Sequence, residues 1–140
     1  MQVREVDVVI IGGGAAGLMC ARVAGARGRR VVLVERNSEV GKKILISGGG
    51  RCNFTNLETP ATSYHSTNPH FSKSALARYQ PWDFIGLVQT HGIAYHEKTL
   101  GQLFCDHSAR DIVGMLLDEC ASAGVVVETG CQVESVEAAQ

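Results

Sequence analysis

Two kinds of hydrophobic pattern alternate along this chain. Short unbroken apolar runs predict buried strands, and stretches with apolar residues at helical spacing predict helices. Asp7 to Ile11 reads as a short, fully buried strand. Ala15 to Arg27 follows as a helix that would turn Leu18, Ala21, Val23 and Ala26 toward a sheet, and Gly28 sits where a helix ends in a left-handed residue. Val31, Val32, Leu33 and Val34 then form a second buried strand. Leu57 to Pro69 is rich in Thr, Ser, Asn and Pro and reads as an exposed loop. Ser72 to Tyr79 and Pro81 to His91 read as two short helices, the second ended by Gly92. Ile93 to Glu97 and Leu103 to Cys105 predict a hairpin around Gly101. Ser108 with Asp111 resembles a capping box and opens a helix with Ile112, Leu116, Cys120 and Val113, Leu117, Ala121 at i, i+4 spacing, closed by Gly124. Val125 to Val127 supplies a third strand for the same parallel sheet, and Gln132 to Val136 one more. The fold class that follows is α/β and Rossmann-like, with a βαβ unit at 7–35 and a further parallel strand near 125–129.

The turn inside that βαβ unit carries the chemistry. In VVIIGGGAAG, Gly12, Gly14 and Gly17 stand in G-x-G-x-x-G spacing. The first glycine permits a tight turn, the second lets backbone approach a pyrophosphate, and the third lets the helix pack closely on the sheet. A helix N-terminus then points free N–H groups at negative charge. Glu35 follows at the end of the second strand, where a carboxylate accepts hydrogen bonds from adenosine ribose hydroxyls and repels a 2′-phosphate. NADP is therefore disfavoured at this position.

A second glycine-rich stretch, GKKILISGGGRCNFTN from Gly41 to Asn56, offers a backbone nest with Lys42, Lys43 and Arg51 as cations and Asn53, Thr55 and Asn56 as neutral partners. It reads as a cofactor-facing loop or as a mobile basic surface loop. The cysteines at 20, 52, 105, 120 and 131 contain no C-x-x-C pair, which argues against a disulfide framework and a zinc knuckle. Cys20 and Cys120 fall on predicted helices as small buried residues, and Cys52 is expected to pack rather than react. None of the five histidines has metal-ligand spacing, so no metal site is expected and catalytic residues stay unassigned. His96 and Glu97, adjacent on a strand, point to opposite faces and read as surface.

Composition narrows the class further. At 140 residues, 45% hydrophobic and 19% charged, the chain has the make-up of one globular domain with one core. A net charge of -1 gives no bulk attraction to nucleic acid or anionic membrane. The basic run Arg22, Arg27, Arg29, Arg30 reads as solvated cations near a helix C-terminus, and the few aromatics argue against an RNA partner. No apolar run approaches the ~20 residues of a membrane span. The first strand begins too early to leave room for a signal peptide, so a cytoplasmic location is expected.

Together, VVIIGGGAAGLMCA, VVLVERNSEVGKKILISGGGRCNFTN and GQLFCDHSARDIVGMLLDEC resemble the amino-terminal part of the BaiN-like, or aminoacetone oxidase-like, NAD(P)/FAD-dependent oxidoreductases. The resemblance implies an FAD site that includes Gly12, Gly14, Ala15, Ala16, Gly17, Glu35 and Arg36. It adds Lys43, Ser47, Gly48, Gly49, Arg51 and Asn53 close to FAD, in the loop after the second strand, and the Val133 backbone at the adenine. It implies electron exchange between a reduced nicotinamide or small organic substrate and an acceptor. Members of the family complete this site with a carboxyl-terminal segment beyond Gln140, so these residues correspond to the first part of an FAD/NAD(P)-binding domain. Two readings follow: the FAD-binding portion of a flavin-dependent oxidoreductase, and a non-catalytic adenine-dinucleotide binding module.

Overall fold

In the computed structural model, which describes residues 3–138, the elements run β1 (Val8–Ile11), α1 (Ala15–Ala26), β2 (Val31–Val34), α2 (Lys42–Ile46), β3 (Asn53–Asn56), α3 (Lys73–Arg78), α4 (Pro81–Thr90), β4 (Tyr95–Glu97), β5 (Gln102–Cys105), α5 (Arg110–Ser122) and β6 (Val126–Glu128). The chain divides into two compact units, one of residues up to 45 with those from 113 onward, the other of residues 46–112.

The first unit is the Rossmann-like one. Its parallel sheet has the order β1-β2-β6, with Val8 opposite Val31 and Val32 opposite Val126. The central strand β2 is buried throughout, as its unbroken apolar run predicts. β1 is not: Val9 and Ile11 are 58% and 60% exposed, because β1 is an edge strand and only alternate residues turn inward. The ion pair between Arg30 Nη2 and Asp7 Oδ1, 2.8 Å long, pins its start to the entry of β2 and holds the Asp7 carboxyl down at about 2.

Helix α1 buries Leu18, Ala21 and Gly25, whereas Val23 and Ala26, expected on the inner face, are exposed. The seam is Gly25 because the chain leaving α5 passes there. A Cβ on Gly25 would lie 2.6 Å from the Ala123 carbonyl oxygen and 3.0 Å from the Ala123 Cβ. Cys120, fully buried, places its Sγ 3.4 Å from the Leu18 carbonyl oxygen, and Arg22 pairs with Glu119 at 2.7 Å, so Arg22 is not a freely solvated cation. Cys20, on the same helix, is exposed rather than buried. Gly25→Ala is expected to destabilise the fold by up to about 2 kcal/mol, since overpacking costs ~1–3 kcal/mol and the better helix propensity of alanine returns ~1. A lower urea midpoint with an unchanged slope is the readout.

Both α1 and α5 end as their glycines predict. Gly28, at φ 78°, donates to the Gly25 carbonyl and Arg29 to that of Ala24; Gly124, at φ 72°, donates to Ala121 and Val125 to Cys120. The expected strand at 132–136 is absent. Beyond β6 the chain instead follows the turn after β2, with Gly130 donating to the Asn37 carbonyl and Cys131 to that of Glu35.

The second unit holds the antiparallel sheet β3-β5-β4. The predicted hairpin is β4 with β5, pairing Tyr95 with Cys105, and β3 adds on the other side through Asn53 and Phe104. Phe54, Phe84 and Tyr95 pack together at centroid separations of 5.9 and 5.6 Å. Burial pushes the Cys105 thiol up to about 12 and raises that of Cys52, so both are packing groups rather than nucleophiles.

Candidate cofactor site

At the carboxyl end of β1 the backbone leaves the sheet through Gly12, whose φ of 108° is closed to most side chains. Gly14 follows as the N-cap of α1, and the Leu18 N–H makes the first helical bond to its carbonyl at 3.0 Å. No side chain caps this helix, and its first turn holds no acidic residue. The N–H groups of Ala15, Ala16 and Gly17 thus stand at an exposed, positive helix end. Gly17 is where helix and turn meet most closely: a Cβ there would lie 1.9 Å from the Gly12 carbonyl oxygen. Around Gly14 the opposite holds, since a Cβ would meet nothing within 4 Å.

Glu35 organises the other wall. Its Oε2 accepts from the Gly13 N–H at 2.8 Å and its Oε1 from the Asn37 N–H at 2.8 Å, with the Asn37 side-chain amide as a further donor. The backbone bonds from Asn37 and Gly13 hold the carboxyl below its ordinary range. Glu35 therefore stays anionic and fixes the glycine turn.

Two cavities flank this carboxylate. One of about 400 Å³ is lined by Gly12, Glu35, Arg36 and Val133, brought together by the pairing of 130–131 with 35–37. The other, about 550 Å³, is lined by Gly14, Ala15, Glu35, Arg36 and Lys43. Sequence reasoning passed over Gly13 and Gly41. A Cβ on Gly13 would lie 2.6 Å from Val40 Cγ1, and Gly41, at φ 72°, donates to the Gly13 carbonyl at 2.7 Å and leaves no room beside Val113. The run of three glycines was the available signal for the first.

In the second unit, Ser47–Gly50 form a tight turn with left-handed Gly48 and Gly49, leading into β3 rather than remaining a loop. A Cβ on Gly48 would lie 2.7 Å from the Phe104 ring and 2.8 Å from the Asn53 nitrogen, whereas Gly49 is open. Arg51 donates from Nη1 to the Asp106 carbonyl at 2.8 Å, and the Cys52 N–H returns to the Ser47 carbonyl at 3.0 Å. Asn53 is exposed. Also in this unit, His96 Nδ1 lies 2.7 Å from Asp106 Oδ1, a long-range pair that reading adjacent residues on a strand does not reveal. No group of metal-ligating side chains and no helix able to cross a membrane occurs among the described residues.

A family model for the HI0933-like protein Rossmann domain matches residues 6–140. The chain is 59% identical over 130 residues to the ribosomal RNA dihydrouridine synthase of Escherichia coli (strain K12), covering 93% of this chain and 32% of that protein. It is 54% identical over 132 residues to the protein of the same name from Haemophilus influenzae (strain ATCC 51907), covering 94% and 33%. Likeness to the 3-dehydro-bile acid delta(4,6)-reductase of Clostridium scindens is 32% over 133 residues, covering 91% and 32%. Among solved structures, glycine oxidase from Bacillus cereus ATCC 14579 superposes with a TM-score of 0.60 at 17% identity, over 96% of this chain and 50% of that one. The chain spans about a third of the length of the curated relatives it matches.

Proposed function

The chain belongs to the HI0933-like Rossmann domain family, and from that premise we propose that it is the FAD-holding portion of a reductase that saturates a uridine of ribosomal RNA to dihydrouridine. One observation carries the cofactor half: an uncapped helix end, an open Gly14 face and an anionic Glu35 converge around adjoining cavities. That donor set suits the ADP moiety of a dinucleotide, with the pyrophosphate at Gly14 to Gly17, the ribose at Glu35 and Arg36, and the adenine beside Val133. By family resemblance alone, Lys43, Ser47, Gly48, Gly49, Arg51 and Asn53 are assigned close to FAD. FAD supplies two-electron chemistry when bound, and NAD(P)H is the donor we assign to it.

The substrate half rests on the names of the two relatives above 50% identity. It departs from the expectation of a partner set without nucleic acid, which rests on the net charge and the few aromatic residues. A small organic substrate is the second reading, supported by the 32% likeness to a bile acid reductase. The finer BaiN-like or aminoacetone oxidase-like grouping is weaker than the family itself, because the two more similar relatives are named for another reaction.

The test is a visible spectrum of the purified chain after incubation with FAD and desalting. Retained flavin, identified by mass after release, is the expected result. A folded chain that keeps ADP but no flavin would instead support an adenine-nucleotide module without turnover.

A further inference from the structure

All eight aromatic residues lie between residues 46 and 112, and they divide into two sets. Phe54, Phe84, Tyr95 and Phe104 face inward, against one another or, for Phe104, against the His96 ring. Tyr64, Phe71, Tyr79 and Trp82 face outward, with exposures of 45%, 62%, 40% and 62%. The outward set falls within residues 59–82, a stretch that carries Lys73, Arg78, His65 and His70 and no acidic residue. Asp83, next in the chain, spends its carboxylate on the Gln80 N–H at 2.7 Å, leaving Glu58 and Glu97 as the carboxylates at the margin. Trp82 borders two cavities, one of about 550 Å³ shared with Lys73, Leu76 and Glu58, the other of about 370 Å³ shared with Gln89, Tyr95 and Glu97.

Outward-facing rings in a stretch that carries cations and no acidic residue of its own are what unpaired bases and their phosphates use. A duplex hides its base faces and cannot use them. We infer that residues 59–82 form a contact surface for single-stranded RNA, with a base stacked on the Trp82 indole and backbone phosphates at Lys73 and Arg78. Whole-chain charge does not reveal this surface, because a net value carries no record of where the outward rings and the acid-free stretch lie.

The inference rests on the ribosomal RNA reading, and binding is measured apart from turnover so that the two fail separately. Trp82 is the only tryptophan, so its emission reports this surface alone. Titration of the chain with a twelve-nucleotide oligouridylate is expected to quench it. In anisotropy with the labelled oligonucleotide, Trp82→Ala is expected to weaken binding about tenfold. Lys73→Gln with Arg78→Gln should lower the salt slope by about 1.4. Both substitutions lie outside the core, and circular dichroism checks the fold. Absence of quenching, unchanged affinity in Trp82→Ala, or equal binding of a duplex of the same length overturns the inference. An enzyme that modifies ribosomal RNA while Trp82→Ala binds normally loses this surface and keeps its function. Trp82-dependent binding by an enzyme that saturates no uridine keeps the surface and loses the function.

Discussion

Gly17→Ala and Gly14→Val are expected to fail in opposite ways. At Gly17 the added Cβ would lie 1.9 Å from the Gly12 carbonyl oxygen and 3.1 Å from its carbon, both backbone atoms of the turn itself. Neither can swing aside as a side chain would, so the turn must open or α1 must lift from the sheet. Alanine gains about 1 kcal/mol over glycine in helix propensity, while a contact this short stands at or beyond the top of the ~1–3 kcal/mol range for overpacking. A large loss of stability, seen as a lower urea midpoint, is the expected result. At Gly14 there is nothing within 4 Å of a Cβ, and φ is an ordinary -81°. Gly14→Val should therefore fold, losing no more than the roughly 1 kcal/mol that separates glycine from valine at an N-cap. Its isopropyl group would occupy the face assigned to the pyrophosphate, so flavin retention after desalting is expected to vanish. A folded Gly14→Val chain that still retains FAD would remove the pyrophosphate from this turn.

The parts of this fold that were legible share a physical property: their signal is local. β2 is four consecutive apolar residues in a central strand, and Gly28 and Gly124 end their helices through bonds closed within six residues. What was missed depends on partners far along the chain. The run in β1 resembles that of β2, yet the strand order leaves β1 at an edge with half its side chains exposed. β3 has no apolar period, being Asn-Phe-Thr-Asn, and exists because β5 pairs with it. Gly25 looks like a poor helix residue until the Ala123 carbonyl is set beside it. Gln132 to Val136 reads as a strand in sequence, but the chain reaches it through Gly130 and Cys131, whose N–H groups go to Asn37 and Glu35, and no ladder continues beyond them among the described residues. In the candidate site, the glycine spacing and Glu35 were legible because motif and geometry are both local, whereas the service of Glu35 to Gly13 crosses 22 residues.

That service sharpens what removal of Glu35 should do. A carboxylate offers about four lone-pair positions, and Gly13 N, Asn37 N and the Asn37 amide already take three. About one acceptor position is left for a ribose hydroxyl. Glu35→Ala is expected to weaken adenine-dinucleotide binding by about 1–3 kcal/mol, the cost of losing a hydrogen bond to a charged group. Loosening of the glycine turn could produce the same loss without any contact to ribose. ADP and 2′-deoxy-ADP separate the two: the parent chain should prefer ADP, and Glu35→Ala should erase that preference if the carboxylate touches the 2′-hydroxyl. A preference that survives in the variant would confine Glu35 to holding the turn. The role in the turn has its own pH signature. Because hydrogen bonds lower the folded-state pKa of Glu35, its contribution to stability is complete above the ordinary glutamate range and is lost as pH falls through that range and below it. Urea midpoints of the parent and Glu35→Gln should therefore differ at neutral pH and converge in acid.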